Sequence, residues 1–155
     1  MKLDIFIDRA LRAVALFLFI AIFLVVLAQV FFRYLLNSPL VWSEELARYL
    51  FIWLCFTGWV IATRADHHIA IGILRQRLPP LLRRLLHAAI EAGHLLLAAL
   101  LFWNGYLLLM RNLSVGTVTL FFPFAVVYAI VPAASLLIAA SALQRLFEGS
   151  RSEAA

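Results

Sequence analysis

The sequence has a single cysteine, Cys55, set within an apolar run, so it carries no disulfide framework and no thiol-rich metal pattern. Its thirteen Lys and Arg residues form no basic stripe with aromatics interleaved. They fall almost entirely between hydrophobic runs, and the net charge of +5 is therefore no nucleic-acid footprint. No glycine-rich phosphate loop, no nucleophile and no clustered metal ligands accompany the paired acids Glu44 and Glu45, so catalysis is not expected. Also missing is the polar half of an ordinary soluble domain. With 66% hydrophobic residues over 155 positions and a mean hydropathy of +1.02, the chain belongs in a bilayer.

What is present is a set of four apolar runs separated by arginines. Residues 13–32 form twenty positions without a charge, bracketed by Arg12 and Arg33; at about 1.5 Å per residue they cross roughly the 30 Å hydrocarbon core. The basic start (Lys2, Arg9, Arg12) imitates a signal peptide, but the run is longer than such an h-region, and an uncleaved signal anchor is expected. A second span is expected over 42–63. Only fifteen uncharged residues separate Arg48 from Arg64, so it borrows length from its amphipathic entry. Ser38-Pro39 suits an N-cap followed by proline, and Ser43 is a second candidate start. Over about 66–80, leucines recur at three- and four-residue steps among arginines. That pattern predicts an amphipathic segment lying along the headgroups and interrupted at Pro79-Pro80. The third and fourth spans are expected at 85–110 and 124–143, joined through Asn112 and Gly116 as turn-formers. The fold class is thus an all-α integral membrane protein, one domain over 1–155, with four transmembrane helices.

Charge sets an expected orientation. Ten of the thirteen basic residues lie in the N-terminus, the 64–84 connection and the tail, against three in the other two connections. By the positive-inside bias both termini face the cytoplasm.

The specific residues concentrate between 33 and 68. Glu44 and Arg48 stand at i,i+4 with the acid first, the favourable order for a helical ion pair, and Glu45 is three residues from Arg48. Trp42 flanks them with a ring suited to the interface. Paired carboxylates also serve general acid–base chemistry or hold a cation, but nothing that would support either accompanies them. Gly58 and Gly93 are places where two helices are expected to approach closely. On the third span His87, Glu91 and His94 fall within an arc of about 60° on one face. Ionisable groups at that depth are candidates for a metal site, a proton relay or haem ligation. An interfacial ion pair with Arg83 or Arg84, plus one packed histidine, has the same spacing. No further ligand on the span completes a metal site. Asp66-His67-His68 reads as a solvated or headgroup-contacting face.

The order Arg33-Tyr34, Trp42-Ser43-Glu44-Glu45-Leu46-Ala47-Arg48-Tyr49, Trp53, Gly58, Arg64 and His68-Ile69, followed by Tyr128 and Pro132, resembles the small membrane subunit of tripartite ATP-independent periplasmic (TRAP) transporters, the DctQ type. Two positions depart from it. The family often continues His-Ile-x-Val-Asp where this chain has Ile71-Gly72, and Pro132 precedes Ala133 rather than glycine.

The resemblance implies a non-enzymatic part of a symport system in the bacterial cytoplasmic (inner) membrane that takes up an organic acid such as a dicarboxylate. The implied partners are a large multi-span permease subunit, a periplasmic solute-binding protein and membrane lipids. It implies no cofactor in this chain, the coupling ion, sodium, being held by the large subunit. Glu44, Glu45 and Arg48 would then order the second helix or dock a partner, Trp42 and Trp53 anchor it, and Arg64 with His68 fix the cytoplasmic turn. Two other classes stay open: a haem-bearing anchor of a redox enzyme, motivated by the histidines, and a self-contained small transporter, motivated by Glu91.

Overall fold

A computed structural model describes residues 2–64 and 79–151. The described chain is helical, as its composition requires, and four stretches are long and apolar enough to cross a membrane: Asp4–Tyr34, Val41–Arg64, Ala89–Arg111 and Phe124–Gln144. The expected amphipathic segment, with His68, lies outside the described residues apart from Pro79 and Pro80.

Helix α1 (Lys2–Tyr34) holds no glycine or proline, so nothing interrupts it, and it starts well before the apolar run. Asp4 sits in its first turn and Arg33 in its last, each opposing the helix dipole. Asn37 then takes a left-handed φ of 48°, a conformation asparagine tolerates, and the Ser38 N–H returns to the Phe32 carbonyl at 3.1 Å. Helix α2 (Val41–Arg64) begins two residues after Pro39. Ser43 acts as a donor there, its buried hydroxyl 2.6 Å from the Leu40 carbonyl. The proline-first start occurs instead at α3 (Pro80–Arg111), and Asn112 closes that helix with its N–H on Leu109 and its side-chain amide on Leu108.

The fourth span stands where the apolar run placed it, over Phe124–Gln144, with its helical hydrogen bonding interrupted at Ala129, which itself keeps helical dihedrals (φ −57°, ψ −28°). It divides into α4 (Phe124–Tyr128) and α5 (Ile130–Arg151). Pro132 accounts for the break, because proline has no N–H to give the carbonyl four residues back, that of Tyr128, and its ring crowds that oxygen. The next bond, Ala133 N–H to Ala129 carbonyl, is already stretched to 3.4 Å.

The helices pack as two pairs, α1 on α2 and α3 on α5, and α2 against α5 joins them. The core at that junction is made of Val60, Ala98, Ala134 and Ile138, with Phe56, Trp59 and Leu137 around it. Apolar burial gives little drive when the solvent is lipid, so small residues that let backbones come close carry the association. Among the described glycines Gly105 is the most tightly packed: a methyl group there would lie 2.7 Å from Val131 Cγ1 and 3.1 Å from Pro132 Cδ. Gly58 and Gly93, where the sequence pointed to close approach, both face open space. Buried hydroxyls stay within their own helices, Thr57 on Trp53, Ser135 on Pro132 and Ser141 on Leu137.

Gly105→Ala is expected to lower stability by about 1–3 kcal/mol, because a β-branched side chain and a proline ring cannot yield. Gly58→Ala should change it by less than about 1 kcal/mol. Thermal unfolding in detergent compares the two; equal effects would contradict the packing.

Candidate functional site at the Glu44–Glu45 end

Adjacent residues on a helix point about 100° apart, so two consecutive carboxylates at the start of α2 address two different neighbours. Glu44 turns to α1. Its Oε1 accepts from Gln29 Nε2 at 3.2 Å and from Arg33 Nη2 at 3.1 Å, donors one turn apart on that helix. The expected pairing with Arg48 does not form, because the short 35–40 connection brings Arg33 across to Glu44. With half of each side chain exposed, the Arg33–Glu44 bridge contributes at most about 1 kcal/mol.

Glu45 turns the other way, to the loop between α3 and α4. It accepts the backbone N–H groups of Val118 at 3.1 Å and Thr119 at 2.7 Å, and the hydroxyls of Thr119 and Tyr49. One ionised side chain thus engages four donors, three of them more than seventy residues away. The loop is shaped to meet it. Gly116 bridges Pro123, Phe124 N–H bonds the Val115 carbonyl at 2.9 Å, and the Thr117 hydroxyl lies 2.6 and 2.9 Å from the Leu120 and Phe122 carbonyls. Below the carboxylate the buried Tyr49 ring stands edge-on to Phe122 and Phe124, with centroids 6.3 and 5.8 Å away. Arg48, exposed, and Tyr128 border an open cleft of about 440 Å³ between α2 and this loop.

The opposite end of the α1–α2 pair is pinned with the charges reversed. Arg64 Nε lies 2.5 Å from Asp8 Oδ1, and Nη2 is 3.9 Å from Asp4 Oδ1, with the Arg64 side chain only 12% exposed. Arg64 therefore ties α2 to α1. Trp42 is exposed at the mouth of α2 and Trp53 is half-buried within it.

On α3, Glu91 is 3% exposed and its Oε2 lies 3.6 Å from His94 Nδ1. The His87 side chain is outside the described residues. Among the described residues no three His, Cys, Asp or Glu side chains converge as a metal site would need. Sequence reading passed over Gln29, Asp4, Asp8 and Thr119. The i,i+4 acids at 4 and 8 were a usable signal, whereas nothing local marks Thr119 as the partner of a residue in another helix.

Among known proteins, residues 22–152 match the family model described as the DctQ component of tripartite ATP-independent periplasmic transporters. A Haemophilus influenzae protein carrying the name of a TRAP transporter small permease protein is 28% identical over 141 residues, covering 91% of this chain and 88% of that one. The sialic acid TRAP transporter small permease protein SiaQ of Vibrio cholerae is 36% identical over 92 residues, 59% of this chain and 53% of SiaQ. The sialic acid TRAP transporter permease protein SiaT of Haemophilus influenzae is 38% identical over 74 residues, 48% of this chain but 12% of SiaT.

Glu45→Ala should speed deuterium exchange at the Val118 and Thr119 amides by roughly tenfold, the size expected when a charged acceptor is lost. Glu44→Ala should leave those amides unchanged. In double-mutant cycles on stability, Glu44 and Arg33 should couple while Glu44 and Arg48 add independently. Coupling of Glu44 to Arg48 instead would contradict the observed partners.

Proposed function

The chain belongs to the DctQ family, the small permease component of TRAP transporters, and on that premise we propose that it braces a large multi-span permease subunit in a cytoplasmic membrane and helps receive a solute-binding protein. The carrying observation is the match to SiaT. A stretch resembling half of this chain makes up 12% of a protein that is itself named a permease, so small-subunit sequence occurs in one polypeptide with a much larger remainder. Where the small permease is a protein of its own, as the name of the Haemophilus influenzae relative has it, that remainder corresponds to a partner.

The physical reading agrees. Thr57, Ser135 and Ser141 spend their hydroxyls on their own helices. Such walls offer little to a polar solute, and the transport path, with its sodium coupling ion, belongs to the larger subunit. Both termini then lie in the cytoplasm by the arginine distribution, and the Glu44–Glu45 end faces the periplasm. There the Glu45-fastened loop holds Phe121 fully exposed and α2 opens with the exposed Trp42, apolar groups for a partner protein to cover. The relatives named for sialic acid, a carboxylate, support an organic acid as the substrate.

Reconstitution in proteoliposomes tests this. Uptake of an organic acid should require this chain, a large permease and a binding protein together, and should follow an imposed sodium gradient. Glu44→Ala with Glu45→Ala should lower it several-fold at unchanged protein level. Transport by this chain alone would make it a self-contained transporter.

A further inference from the structure

Arg48 is an exposed cation two turns inside a membrane-crossing helix, where an unsatisfied charge is costly. Neither carboxylate at the right helical spacing neutralises it. Glu45 is spent on Tyr49 and the loop at Val118 and Thr119, and Glu44 gives one oxygen, Oε1, to Gln29 and Arg33, which leaves Oε2 to accept from a ligand. Among the described residues no carboxylate bonds Arg48, and its guanidinium borders the open cleft of about 440 Å³. That cleft has a graded lining: Glu44 and Arg48 on α2, with apolar Ile52 and Val127 contributed by α2 and α4. Trp42, six residues before Arg48, has the ring type that settles at the headgroup level.

We propose that this cleft binds the headgroup of a membrane phospholipid, with Arg48 holding the phosphate and Glu44 the headgroup amine. A guanidinium meets phosphate through two parallel N–H donors, which suits this end of the cleft. A zwitterion whose cation is a primary ammonium satisfies both signs, because the ammonium donates hydrogen bonds to Glu44 that a quaternary amine cannot. The expected order is therefore phosphatidylethanolamine above phosphatidylcholine and phosphatidylglycerol. The inference needs only the four-span architecture; it does not depend on the transporter reading.

The test is native mass spectrometry of the full chain, purified with whatever partners it retains and offered each of the three lipids in turn. Retention of phosphatidylethanolamine should exceed that of the other two. Arg48→Gln should reduce it by roughly tenfold, as expected for loss of a charge-assisted partner, and Arg48→Lys should fall between. The headgroup series on the unmodified chain decides the matter even if Arg48→Gln fails to fold. Equal retention of all three lipids, preference for phosphatidylglycerol or displacement by inorganic phosphate would overturn the proposal. So would a cross-link placing Arg48 against a carboxylate of a protein partner.

Discussion

The hydrogen bonds of the Glu45 carboxylate are the interaction on which the organisation of this end of the molecule depends. The chain is built as two helix pairs, and their shared core at Val60, Ala98, Ala134 and Ile138 lies well along the bundle from the α3–α4 loop. At the loop, the joint is Glu45 accepting two backbone N–H groups and a hydroxyl of Val118 and Thr119, with Tyr49 bonded to the same carboxylate and packed edge-on against Phe122 and Phe124. Backbone donors near a bilayer need a partner, because lipid offers none. One carboxylate meets that need and fixes the loop at the same time.

The same logic explains how α1 is kept in place. Much of its surface is apolar and exposed, including Phe17, Phe19 and Phe23, so in lipid it gains little from burial against α2. Its position is set at the ends, by Arg33 on Glu44 at one and by Asp8 on Arg64 at the other. The signs are opposite at the two ends. Sliding α1 along α2 by one turn would break both bridges, so the pair defines the register as well as the contact.

How much of this was legible in the sequence depended on the range of the physics involved. Spans follow from local composition, and the four-helix fold was readable from runs such as 13–32 bounded by arginines. The Glu44–Glu45 pair stood out in the sequence too, but the partners of the two carboxylates did not. Helical spacing offers Arg48 to Glu44, and only the closed α1–α2 hairpin shows that Arg33 reaches it first. Thr119 carries no mark of its tie to Glu45, because that pairing is made by tertiary structure across seventy-four residues. Gly58 and Gly105 look alike in sequence, yet Gly105 lies tight against the side chains of Val131 and Pro132 while Gly58 faces open space. The fourth span stands where its apolar run placed it, and Pro132 leaves its mark only in the interrupted helical bonding at Ala129.

A small permease subunit with both ends of its α1–α2 pair pinned, and with its α3–α4 loop fastened to α2, has the fixed geometry that the proposed bracing of a larger membrane partner requires. The most direct measurement is to tag this chain, extract it gently from its native host and identify what accompanies it. The account predicts one large multi-span permease in stoichiometric amount. Recovery alone, or with soluble redox subunits and a haem absorption band, would contradict it.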